Sequence, residues 1–243
     1  MSVFIAILDD DPADRKQSER LLSRERDARA KEGEVIYFDS YGSEDALLPF
    51  FMKYDLILID ITSTTRDGMM VAVDLLWHGA MGKIVLNYGK IDYREKYGDE
   101  EGISFIPKPL WQKDFHRLVD LALEHHATKP PVVELRGKDE TVYAPCDDIL
   151  YAIDRGYYTA VALTGDRSVH VMEKLSAFCI SLSPEDFIVT SKNTVINMKH
   201  VTRASGLCFT MSDGARIRFG LLQKLRITRE YAAYARKVRD RRK

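Results

Sequence analysis

Five short apolar runs limit most sharply what this chain can become. They are Val3 to Leu8, Val35 to Phe38, Asp55 to Ile61 (read as DLILIDI), Lys83 to Leu86 and Ile103 to Ile106. A strand with one wet face alternates polar and apolar residues, whereas an unbroken run belongs to a strand covered on both faces, as in a parallel sheet flanked by helices. The intervening segments supply those helices. Asp11-Pro12 can cap and open a helix after the first run, and Ser43 to Met52 reads as a second helix. Beyond the fifth run, Phe115, Leu118, Val119 and Ala122 recur at i, i+3, i+4 and i+7, one buried stripe. Five β/α alternations predict an α/β unit with a doubly wound, five-stranded parallel sheet, whose ligands sit at the carboxyl ends of the strands.

The rhythm breaks at Ala127-Thr-Lys-Pro-Pro131, because proline cannot continue a helix and disfavours the α conformation in the residue before it. We read residues 1–126 as one domain, 127–131 as a linker and 132–243 as a second domain, a division suited to 243 residues. Past the break come short strand-like runs: Val132 to Leu135, Thr141 to Ala144, Ile149 to Ile153, Tyr157 to Leu163, Ser168 to Met172, Phe187 to Thr190, Leu207 to Met211 and Arg216 to Phe219. Turn signals such as Thr164-Gly165-Asp166 separate them, so an all-β fold is expected, with one short helix at Glu173 to Ser181.

Charge divides with the chain. Residues 1–126 carry 24 acidic and 16 basic side chains, and the remainder 13 and 20, so a net charge of −1 hides an acidic half joined to a basic one. A basic half suits a polyanionic partner such as nucleic acid. Cys146, Cys179 and Cys208 form no CxxC pair and read as small buried apolar residues. With no apolar stretch of membrane-spanning length, and a start that runs straight into a strand, a soluble cytoplasmic protein without a membrane partner is expected. No GxxxxGK[ST] loop, GxGxxG turn or HExxH helix is present, which leaves nucleotide hydrolysis, dinucleotide binding and zinc proteolysis without support.

The chemistry-bearing residues lie at strand ends. Asp9, Asp10 and Asp11 close the first run, Asp60 the third, and Lys108-Pro109 follows the fifth. In a parallel sheet these ends share one edge, so carboxylates and an ammonium meet there. Closely packed hard oxygen ligands call for a cation, Mg²⁺ in phosphoryl chemistry. Such a pocket can hold an aspartyl phosphate, with Asp60 as nucleophile and Lys108 pairing with the phosphate formed. An aspartate-nucleophile phosphatase would read DxDx[TV] on the first strand, but here Pro12 and Ala13 follow the carboxylates.

On Asp9-Asp10, Asp60, the Asp67-Gly68 turn and Lys108-Pro109, residues 1–125 resemble the receiver domain of the response-regulator family. The resemblance implies direct Mg²⁺ ligation by Asp10 and Asp60, help from Asp9 through water, and a sensor histidine kinase as phosphoryl donor. Two positions depart from it. Asn87 stands where receivers carry Ser or Thr, offering amide donors to a phosphoryl group, and Thr62-Ser63-Thr64-Thr65 lacks the usual Met-Pro.

Residues 132–229 resemble the LytTR domain of the LytR/AgrA regulators, on Ala144-Pro145-Cys146-Asp147-Asp148-Ile149-Leu150-Tyr151, Gly156-Tyr157-Tyr158, Asp186-Phe187-Ile188-Val189 and Val195-Ile196-Asn197. The resemblance implies promoter DNA as partner, read through loops at direct repeats, and a homodimer formed on activation. Candidate DNA contacts are Ser191, Lys192 and Asn193, Arg203 in an Arg203-Ala204-Ser205-Gly206 turn, and Lys224, Arg226 and Arg229, with a basic tail from Arg236 to Lys243. Gly220-Leu221-Leu222 replaces the family's Ser-Arg segment. Two rivals stay open: a phosphorylation-independent regulator or protein-interaction module with a degenerate receiver, and a β half that binds RNA or protein.

Overall fold

The computed structural model describes residues 2–61, 67–89 and 102–240. The loop Thr62-Ser63-Thr64-Thr65 and the last three tail residues lie outside this set. The chain divides into two compact units, residues 1–129 and 130–243. Among the described residues no helix is long and apolar enough to cross a membrane.

In the first unit the five apolar runs become β1 (Ser2–Asp9), β2 (Val35–Tyr41), β3 (Leu56–Asp60), β4 (Lys83–Tyr88) and β5 (Ile103–Pro107). All neighbours pair in parallel, in the order β2-β1-β3-β4-β5. That is the doubly wound order with a switch point between β1 and β3. Each face of the sheet has its own core, which is why the runs do not alternate. One packs Val3, Ile5, Leu56 and Leu58 with Leu21 and Leu22 of α1 (Pro12–Arg29) and with Phe115, Leu118, Val119 and Ala122. The other packs Ala6, Ile57, Ile59 and Leu86 with Met69, Val71, Ala72 and Leu75.

The helix expected over Ser43 to Met52 shrinks to one α turn, α2 (Glu44–Leu47), followed by a 3-10 turn at Phe51–Lys53. Pro49 explains the break: it lacks the N–H that would bond the carbonyl of Asp45, and its ring crowds that turn. Two further helices, α3 (Gly68–Trp77) and α4 (Gln112–His126), complete the described part of the unit. At the end of α4, Lys129 Nζ donates to the Tyr54 carbonyl at 2.7 Å and pairs with buried Asp55 at 3.3 Å.

The second unit is built on an antiparallel sheet of β8 (Ile149–Asp154), β9 (Thr159–Leu163), β10 (Arg167–Val171), β11 (Phe187–Ser191) and β12 (Thr194–Asn197), in the order β10-β9-β8-β12-β11. Preceding it in sequence, β6 (Val132–Arg136) pairs with β7 (Thr141–Pro145), and a three-stranded sheet joins β13 (Val201–Ser205), β14 (Cys208–Met211) and β15 (Arg216–Arg218). Adjacent residues of the central strands enter opposite cores: Phe187, Val195 and Ala152 pack with Phe178, while Ile188, Ile196 and Tyr151 pack with Phe209. The short helix expected at Glu173 to Ser181 is α5 (Leu175–Phe178) with a 3-10 turn. All three cysteines are free.

A 17-residue helix, α6 (Lys224–Asp240), closes this β-rich unit and takes in the start of the stretch from Arg236 expected as a basic tail. Ile227 is buried and Tyr231 and Tyr234 pack beside Phe209, an i, i+4, i+7 stripe legible once sought. The charged residues around this narrow stripe masked it.

Candidate functional site

Asp9 and Asp60 are register partners at the last positions of β1 and β3. Both are buried. The backbone N–H of Asp11 donates to Asp9 Oδ1 at 2.9 Å, and Arg15 Nη1 to the Asp9 carbonyl at 2.6 Å, so the chain is tied down as it leaves β1. Asp10 follows at the exposed rim. Asp11 caps α1, accepting from Ala13 N at 2.7 Å and Asp14 N at 3.0 Å, and these two donors hold its carboxyl below the usual carboxylate range.

Asp60 Oδ2 receives two donors: Lys108 Nζ at 2.6 Å and Asn87 Nδ2 at 2.9 Å. Lys108 also reaches Asp14 Oδ2 at 2.8 Å. Asp14, which sequence reasoning passed over, stands one helical turn past Asp10, so an acidic strand end running into a helix was the available signal. Asn87 Oδ1 is buried with no hydrogen-bond partner among the described residues. A cavity of about 290 Å³ opens beside these groups, walled by Asp14, Asp60, Asn87, Lys108, Leu21 and Trp111. On the other side of the strand ends, Asp67 caps α3 through the N–H groups of Met69 and Met70, both at 3.1 Å. Gly68 suits that turn because a Cβ there would meet Leu86 Cδ2 at 2.8 Å.

The electrostatics follow from this packing. Burial, with the charge of Asp60 next, pushes the Asp9 carboxyl up to about 7. Burial also raises Asp60, against the pull of Lys108. For Lys108, burial favours the neutral form but is outweighed by Asp14 and Asp60, so its ammonium is held well above the ordinary range. Two neighbouring buried carboxylates, each pushed toward its neutral form, are a donor set that suits a hard divalent cation. Among the described residues no cluster of three or more metal-ligating side chains exists, so the ion would keep waters or other oxygens, as Mg²⁺ commonly does. Of the sequence candidates, the fold brings together Asp9, Asp60, Asn87 and Lys108, and leaves Asp10 at the rim.

In the second unit, Ser191, Lys192 and Asn193 make the turn from β11 to β12, with Asn193 N donating to Ser191 Oγ at 3.2 Å. The Asn193 carbonyl accepts from Asp154 N at 2.9 Å, which sets the β8–β9 turn alongside. That turn exposes Arg155 and Tyr157, the latter 93% exposed; neither was a sequence candidate as a contact residue. Arg203 lies within β13, paired with Thr210, and not in a turn, because Ser205 pairs with Cys208 and the chain reverses at Gly206-Leu207. Lys224, Arg226 and Arg229 are exposed on the first turns of α6. Arg226 Nη2 donates to the Val189 carbonyl at 2.7 Å, tying α6 to β11. The basic tail is helical as far as Asp240.

Residues 139–239 match the LytTr DNA-binding domain family. No curated protein sequence matches the chain. Among solved structures, a LytTr DNA-binding domain from Bacillus cereus is 21% identical and covers 44% of this chain and 94% of its own, with a TM-score of 0.33. A receiver domain from Clostridium thermocellum is 14% identical over 52% of this chain and 98% of its own, with a TM-score of 0.42. A CheY-like receiver domain protein from Methanospirillum hungatei is 17% identical over 53% and 99%, with a TM-score of 0.40. The strand order β2-β1-β3-β4-β5 is the flavodoxin-like doubly wound order, which receiver domains share with flavodoxins. Residues 139–239 are thus similar to the LytTr DNA-binding domain family, and they follow a unit built on a doubly wound, five-stranded parallel sheet.

Proposed function

We propose that this chain is a response regulator, a cytoplasmic transcription factor whose DNA binding is set by phosphorylation of Asp60, with a sensor histidine kinase as donor. The observation that carries the reading is the Asp60 carboxylate, buried at a strand end with one oxygen held by Lys108 at 2.6 Å and Asn87 at 2.9 Å. A carboxylate oxygen of Asp60 attacks the phosphorus of the kinase phosphohistidine; the P–O bond forms as the P–N bond breaks, and the imidazole leaves with the kinase. Lys108 pairs with the phosphoryl oxygens, and Asn87 offers them an amide N–H. Asp9 and Asp60, with Asp10 at the rim, would hold Mg²⁺, which supplies positive charge against the incoming phosphoryl group. Residues 1–126 act as the receiver, 127–131 as linker and 132–243 as the DNA-binding domain.

On the DNA side, Ser191, Lys192, Asn193, Arg203, Lys224, Arg226 and Arg229 meet phosphates and base edges of promoter direct repeats, joined by Arg155 and Tyr157 of the neighbouring turn. Two phosphorylated copies bind as a homodimer. A second reading, a regulator indifferent to phosphate, draws on Asn87, which already occupies Asp60 without a phosphoryl group and lacks the hydroxyl of Ser or Thr. Titration of promoter fragments with and without beryllofluoride and Mg²⁺, at several salt concentrations, decides between them. Specific binding that tightens with beryllofluoride is expected; specific binding indifferent to it selects the second reading.

A further inference from the structure

At the entrance to α6 the chain leaves apolar side chains in water where a compact domain ordinarily does not. Leu221 is 74% exposed, Leu225 84%, and Leu222 completely. Single exposed leucines are common, but three within five residues make a patch, and patches rimmed by polar groups mark contact surfaces. Leu222, in the 3-10 turn that leads into α6, and Leu225, Arg226 and Arg229 on the helix stand at i, i+3, i+4 and i+7, so leucines and guanidinium groups share one face. A depression of about 450 Å³ on that face is lined by Leu225, Arg226, Arg229, Glu230 and Ala233. The bond from Arg226 to the Val189 carbonyl binds this face to β11, the strand that runs into the Lys192-Asn193 turn.

Charge selects the occupant. Lys224, Arg226 and Arg229, offset only in part by Glu230, which pairs with Arg226 at 3.2 Å, leave this face positive, so a second copy of the chain would meet like charge. Duplex DNA brings phosphates to these cations and, in the major groove, the 5-methyl groups of thymine to the leucines. We propose that Leu222 and Leu225, with Leu221 beside them, are specificity-determining residues that pack on thymine methyl groups, so that the preferred site carries thymines opposite the start of α6. The proposal rests on the DNA-binding reading above.

The test begins with a duplex recovered by the full-length protein from a randomised library, resynthesised with deoxyuridine in place of thymidine. Loss of each contacted methyl is expected to weaken binding about fourfold. The Leu222→Ala, Leu225→Ala double variant, altered only at exposed positions, should bind both duplexes equally and keep the circular dichroism of the parent. Equal binding of both duplexes by the parent protein would overturn the proposal. So would a DNA-free dimer, seen by sedimentation, that the double variant loses, since the patch would then belong to a second copy. Recovery of no duplex at all would sink the DNA-binding reading itself, and the proposal with it.

Discussion

At the carboxyl edge of the parallel sheet, Asp9 and Asp60 end neighbouring strands and are buried, while in the second unit Lys192, Arg155 and Arg229 project into solvent from turns and a helix face. The first arrangement concentrates its chemistry: few side chains, short fixed distances and a low local dielectric in which each charge feels the others. The second distributes it, each exposed cation adding a small, salt-screened contribution. Substitutions should therefore act as switches in the first unit and as adjustments in the second.

The largest effect is expected at Asp60. Asp60→Ala should abolish labelling by acetyl phosphate or a phosphorylated kinase while far-ultraviolet circular dichroism stays unchanged; stable label on that variant would remove Asp60 as the acceptor. Next come the two cores. Phe115→Ala and Phe178→Ala each empty a fully buried site, and each should cost about 3–5 kcal/mol. Segment-resolved hydrogen exchange should show the first loosening α1 and β1 and the second loosening the β8 region, and the reverse pattern would contradict the assignment of the cores.

A smaller effect concerns pH. The Asp9 carboxyl is raised to about 7 in the folded state from an ordinary value near 3.8, so the folded protein binds this proton more tightly. The stability it contributes is complete below pH 3.8 and is lost as pH rises through about 7. In Mg²⁺-free buffer the first unit should melt at a lower temperature at pH 8 than at pH 5 through this group, and Asp9→Asn should flatten that slope. Added Mg²⁺ should raise the pH 8 melting temperature of the parent more than that of Asp9→Asn. The smallest effect is expected from Lys192→Ala, which should reduce the slope of log K against log salt by about one and weaken binding to all sequences alike. Arg226→Ala should do more, since that guanidinium also holds the Val189 carbonyl. An unchanged salt slope for both variants would detach the β11–β12 turn and α6 from the nucleic-acid face.

Much of the first unit was legible because its signals are local and repeated. Unbroken apolar runs, Asp11-Pro12, and the stripe through Phe115 and Ala122 each carry their structural meaning within a few residues. That Asp9, Asp60 and Lys108 would come together was legible because strand ends of a parallel sheet share one edge. The contraction of α2 was equally local, with Pro49 in plain view. In the second unit, α6 was obscured because a narrow apolar stripe of Ile227, Tyr231 and Tyr234 is diluted by charge, and Arg203 was assigned to a turn because strand register is not written in any short window.

What the sequence alone determined is the kind of unit each half forms and the residue types able to do its chemistry, since periodicity and side-chain identity are local properties. Which groups meet was decided by tertiary structure: that Lys108 bridges Asp60 and Asp14, that Asn87 turns its amide to Asp60, and that the Asp154 N–H reaches the Asn193 carbonyl. The physical reason is that these partners are far apart along the chain. Only strand register, the pitch of α1 and the pairing of β8 with β12 bring their atoms within hydrogen-bonding reach.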